Sequence, residues 1–122
     1  MAYFWLNAAG YLGLAACCTL RHAKVSASQG FVTLDASGRV EYLTLYGGLQ
    51  MGLGAFYVVL ATNPIYHQVG LLFSLLLYGG IVLVRVLSIG LFWPVSSLTR
   101  VLAVSEALLL LAAVVLLARR PV

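Results

Sequence analysis

The run Val69–Trp93, VGLLFSLLLYGGIVLVRVLSIGLFW, constrains this chain more than any other stretch. A helix of about 20 apolar residues spans the hydrocarbon core of a bilayer. This run exceeds that length and carries a single charge, Arg85, well inside it. An arginine at that depth costs about 3 kcal/mol on insertion scales, so it needs a partner or a task.

The rest of the chain is of the same kind. Of its 122 residues, 63% are hydrophobic and 8% charged, where a soluble domain carries about 25% charged residues. One small core cannot bury that much apolar surface, so lipid must cover it. We expect a single membrane domain over residues 1–122. The class is all-α, an integral membrane four-helix bundle with helices at about 2–20, 40–61, 64–93 and 98–118 and one longer polar loop at about 21–39. The net charge of +4 then serves lipid headgroups and topology. No basic patch interleaves with exposed aromatics, which argues against nucleic acid as a partner.

The punctuation between the apolar runs sets the boundaries. Arg21, His22 and Lys24 close the first helix, and Ser26, Ser28, Gly30, Ser37 and Gly38 mark the loop. Phe31–Leu34 within it reads as a short piece at the membrane interface, and Asp35 as a solvated loop residue. Ser37 is the expected N-cap of helix two, Asn63 of helix three with Pro64 in its first turn, and Ser96 or Ser97 of helix four. Tyr66, His67 and Trp93 are placed as interface residues of helix three. Leu14-Ala15-Ala16-Cys17 matches a bacterial lipobox, but no Lys or Arg precedes the apolar run as a signal peptide requires. Adjacent Cys17 and Cys18 cannot readily form a strain-free disulfide with each other and lack redox spacing. We read them as small buried apolar residues.

Lys and Arg cluster on the side of the first and third connections: Arg21, Lys24, Arg39 and Arg100, against Arg119 and Arg120 on the other. This bias places the long loop in the cytoplasm and both termini outside, in a bacterial inner (plasma) membrane.

Arg85 precedes Pro94 by as many residues as Glu106 follows Ser97. Helices three and four meet at that tight turn, so both side chains lie roughly 13 Å in from it. Equal depth on antiparallel neighbours makes an ion pair natural, and an Arg fork can hold a carboxylate with two hydrogen bonds. The same depth argument brings Gln50, Tyr46 and Tyr11 into a shared polar layer with Arg85 and Glu106. Arg39, Glu41 and Arg100 form a shallower polar group near the interface. Helix two also carries Gly47, Gly48, Gly52 and Gly54. Gly48 and Gly52 make a small-xxx-small pair, while Gly47, Gln50 and Gly54 lie on a second stripe. Either lets another helix approach closely, inside the protein or in a homo-oligomer or larger membrane complex.

Other chemistry is sparse. The two histidines are His22 and His67, placed at opposite faces, which makes neither a metal site nor a pair of haem ligands. We expect no cofactor and no catalytic motif of the hydrolase, zinc-protease or P-loop kinds.

The run Leu34–Gly54, LDASGRVEYLTLYGGLQMGLG, resembles a family of small bacterial membrane proteins known as domain of unknown function 4345. Its members carry an Asp and an Arg before helix two, then a Tyr-Gly-Gly and a Gly-Leu-Gly. An Arg follows in an R-x-L-S-like run late in helix three, and a Glu in helix four. Those match Asp35, Arg39, Tyr46-Gly47-Gly48, Gly52-Leu53-Gly54, Arg85-Val86-Leu87-Ser88 and Glu106. Members often place Asp-Gly after the R-x-L-S run, whereas this chain has Ile89-Gly90. The resemblance implies a four-helix membrane fold and no assigned activity.

These readings favour a small membrane protein with a structural, accessory or lipid-like ligand-binding role, in contact with membrane lipids and without an enzymatic activity of its own. Two rivals stay open. A small proton-coupled or solute transporter would use Glu106 as its carrier, although Glu106 is expected to spend its oxygens on Arg85. An integral membrane enzyme acting on a lipid or quinone would use Arg85 to grip a phosphate or carboxylate, with Tyr46 or Tyr11 supplying a proton.

Overall fold

The computed structural model describes residues 1–31 and 34–119. Val32 and Thr33, in the expected interface piece, and Arg120, one of the topology residues, lie outside that set. Among the described residues the chain is helical, without strands. We name α1 (Ala2–Leu20), α2 (His22–Ser28), α3 (Ala36–Thr62), α4 (His67–Phe92) and α5 (Ser97–Ala118). Four of them are long and apolar enough to cross a membrane: α1, α3, α5 and α4 with its 3-10 lead-in from Pro64. The helices group into two compact units, Met1–Pro64 and Ile65–Val122.

In the first unit α1 and α3 run antiparallel. The chain shows this through two close approaches: Leu12 lies against Gly54, and Thr19 against Gly47. As the α1 position advances, its partner on α3 recedes. The buried residues of α1, Tyr3, Phe4, Asn7, Ala8, Ala15 and Cys18, recur at three- and four-residue spacing, which is one stripe of a helix. Cys18 is fully buried, while its neighbour Cys17 is exposed. The expectation of two buried cysteines therefore holds for one of them, because adjacent helical positions point about 100° apart.

The expected loop holds its own helix. α2 ends in a Schellman motif: Gly30 takes φ 96°, its N–H donates to Ala27 O at 3.1 Å, and the Phe31 N–H donates to Ser26 O at 2.9 Å. Glycine suits this left-handed position because it has no Cβ to clash. The reversal brings Gln29 and Phe31, just past α2, against Tyr42 and Tyr46 of α3. Tyr42 Oη donates to Gln29 Oε1 at 2.6 Å. The Phe31 ring meets Tyr42 edge-on at 5.8 Å, and Tyr42 stacks on Tyr46 at 4.6 Å.

α3 begins four residues earlier than expected. Asp35, not Ser37, is its N-cap, accepting a hydrogen bond from the Gly38 N–H at 2.7 Å. The polar Ala36–Arg39 segment is thus helical, because its cap satisfies the orphan donors of the first turn. Leu43–Leu49 is a π-helical stretch set between α-helical turns. Thr44 Oγ1 donates to Val40 O at 2.7 Å at its entry. A side-chain donor there competes with the backbone N–H for a carbonyl, a known cause of helix distortion. The Gly47-Gly48 pair adds backbone freedom to the same stretch. Asn63 also departs from expectation: it closes α3, with Nδ2 donating to Val59 O at 2.8 Å, rather than capping the next helix.

In the second unit α4 stops at Trp93, the residue before Pro94, as proline's steric demand on its predecessor requires. Ser96 caps α5 by accepting from the Thr99 N–H at 3.3 Å. The expected boundaries of these two helices lie within three residues of the observed ones, apart from the 3-10 turn over Pro64–Tyr66.

Candidate functional site

The site is built by the α4–α5 hairpin. Arg85 Nη2 donates to Glu106 Oε1 at 2.8 Å, and Arg85 Nε donates to Glu106 Oε2. This side-on fork engages both carboxylate oxygens, the arrangement that makes Arg–carboxylate pairs strong and directional. It is the one ion pair among the described residues. The depth rule predicts the contact: residues equidistant from a tight turn meet across an antiparallel pair. The side chains remain 28% and 17% exposed, so the fork is shielded without being sealed.

The exposed part of Arg85 faces an open groove of about 570 Å³. Its floor and walls are mostly apolar: Ile81, Val84, Ile89, Phe92 and Val95, with Gly80 leaving space at one end. Three polar side chains line it, Arg85, Ser88 and Thr99. Arg85 and Ser88 are three residues apart and so share a face of α4. Glu106 uses Nε and one Nη2 hydrogen of the guanidinium; Nη1 donates to no partner among the described residues. The Ser88 hydroxyl is likewise without a hydrogen bond among them. The groove is the feature that sequence reasoning missed. Its only sequence signal is the small residue Gly80 on the same stripe as Val84 and Ser88.

The remaining candidates are divided between the two units. Tyr11, Tyr46 and Gln50 belong to the first unit, Arg85 and Glu106 to the second. Within the first unit Tyr11 stacks on Tyr57 at 5.7 Å and 11°, whereas Tyr46 belongs to the Phe31–Tyr42 cluster. Gln50 Oε1 is buried and accepts no hydrogen bond among the described residues. Arg39, Glu41 and Arg100 are exposed and form no ion pair among the described residues.

The four glycines divide. A Cβ at Gly47 would lie 2.6 Å from Thr19 Oγ1, and one at Gly54 2.6 Å from Leu12 Cγ and 3.2 Å from its backbone N. At Gly48 and Gly52 a Cβ would meet nothing within 4 Å. The Gly47–Gln50–Gly54 stripe therefore faces α1, and the small-xxx-small pair does not.

No group of three or more potential metal ligands gathers among the described residues. Comparison with protein-family models, with characterised proteins and with solved structures gives no match.

Proposed function

We propose that the protein is a small multi-pass protein of the bacterial inner membrane that binds a lipid-like molecule and has no enzymatic activity of its own. In this reading the Arg85–Glu106 pair has two tasks. It holds α4 to α5, and it fixes the arginine on the wall of the groove. The observation that carries the proposal is the double engagement of Arg85: one edge of its guanidinium is spent on Glu106, while the same residue lines an apolar groove. A pin alone has no need of the second surface. Both Glu106 oxygens are occupied by Arg85, which favours binding over proton carriage.

Four apolar spans support the membrane setting, and the Lys and Arg bias supports a cytoplasmic loop at 21–39 with both termini outside. We also propose membership of the four-helix family that Leu34–Gly54 resembles.

A photoactivatable acyl probe in membranes containing the chain tests the binding role. Labelling is expected to concentrate on Ile81, Val84 and Ser88 and to fall when excess unlabelled lipid is added. Equal labelling of Leu83, Val86 and Leu87, which are exposed on α4 but outside the groove, would remove the basis for the proposal.

A further inference from the structure

The groove is not uniform along its length. Gly80, Ile81 and Val84 form its far end, deep along α4 and apolar. Its polar groups, Arg85, Ser88 and Thr99, all lie on the side of the Trp93–Ser96 turn. A molecule that matches this surface has a polar head toward the turn and a chain toward Gly80. The volume, about 570 Å³, lies within the range of roughly 300–1,000 Å³ typical of small-molecule sites. The groove is open along its side, so a ligand can enter laterally.

The sign of the head follows from the charges. The described residues of this unit include three arginines, Arg85, Arg100 and Arg119, and a single carboxylate, Glu106. Glu106 offsets Arg85, and Arg100, next to the lining residue Thr99, holds no ion pair among the described residues. The free donors are the outward N–H groups of Arg85 and the Ser88 hydroxyl. Donors at separate positions suit an oxyanion with several acceptor oxygens, as a phosphate offers, better than a neutral head.

We propose that this groove holds one anionic phospholipid, its phosphate on Arg85 and Ser88 and one acyl chain laid over Gly80, Ile81 and Val84. The assignment rests on the lipid-binding reading above and names the class of ligand.

Native mass spectrometry of the full chain in detergent micelles tests it, with phosphatidylglycerol, diacylglycerol and inorganic phosphate as separate probes. One phosphatidylglycerol per chain is expected, held about tenfold more tightly than diacylglycerol, which has the chains without the phosphate; that is the scale of one charge-assisted hydrogen bond. Inorganic phosphate, lacking a chain, should neither be retained nor compete. Gly80→Phe fills the chain end of the groove where a Cβ meets nothing within 4 Å, and it leaves the Arg85–Glu106 fork intact. It should weaken phosphatidylglycerol about tenfold, as loss of apolar contact of this size would, with an unchanged thermal midpoint. Equal retention of the two lipids, both weakened by Gly80→Phe, would overturn the anionic assignment and leave the lipid-binding reading standing. Lipid retention indifferent to Gly80→Phe would overturn both. Competition by inorganic phosphate would overturn the role of the acyl chain.

Discussion

The two helical hairpins differ in what supplements their helix packing. In the first, α1 and α3 meet through glycine and aromatic contacts spread along their length. Gly47 and Gly54 bring the backbones together, and Phe4 and Tyr11 pack on Tyr57. In the second, α4 and α5 also run in extensive contact and add one charged fork, while more of each helix is left uncovered. Of the most apolar window, 39% is buried in α1 and 6% in α5. In lipid the hydrophobic effect does not drive helices together, so packing and polar contacts must. Distributed packing makes a hairpin tolerant of most single changes. A polar contact added to helix packing gives two residues a disproportionate share, and the groove lies on the surface left uncovered beside it.

The contrast predicts a ranking of mutational effects. The largest falls on the second hairpin. Arg85→Ala or Glu106→Ala leaves the partner without the fork and, in the membrane setting proposed above, with an uncompensated charge in a low dielectric; it should cost about 3–5 kcal/mol, read as a loss of abundance and of unfolding free energy in micelles. If both variants are produced and unfold as the parent does, the fork is not what holds α4 to α5. In the first hairpin the vulnerable points are steric. Gly54→Val drives a side chain into Leu12, including its backbone N, and should cost about 1–3 kcal/mol as overpacking does. Gly52→Val, where a Cβ meets nothing within 4 Å, should be close to neutral in the same assay. Equal effects at the two sites would mean that both glycine stripes are packed.

Smaller effects sharpen the picture of the 21–39 segment. Asp35→Ala removes the N-cap of α3 and should cost about 1 kcal/mol. It should also raise amide exchange of Ala36–Arg39 without altering the Arg85–Glu106 unit. Tyr42→Phe removes the hydrogen bond to Gln29 and should cost about 0.5–1.5 kcal/mol, with faster exchange in α2 as its local signature.

What could be read from the residues divides along the same physical lines. Long apolar runs announce helices, since only length and composition are needed. The Arg85–Glu106 contact was legible because a tight turn converts sequence distance into depth. The start of α3 was missed because Ala36–Arg39 is polar and glycine-containing. Its helicity comes from a capping hydrogen bond that composition does not reveal. The choice between the Gly47–Gly54 and Gly48–Gly52 stripes was not legible, since both satisfy the same spacing and only the position of α1 separates them. The π-helical stretch over Leu43–Leu49 adds a rotation that no regular 3.6-residue count anticipates. The groove depends on where side chains leave space, which emerges only once α4 and α5 are in place.

The central claim is that Arg85 and Glu106 act as one unit. A double-mutant cycle tests it most directly, with Arg85→Met, Glu106→Met and the combined variant unfolded in the same micelles. Action as one unit predicts a coupling of at least about 2 kcal/mol, the double variant losing that much less than the sum of the two single losses. Losses that simply add would contradict it.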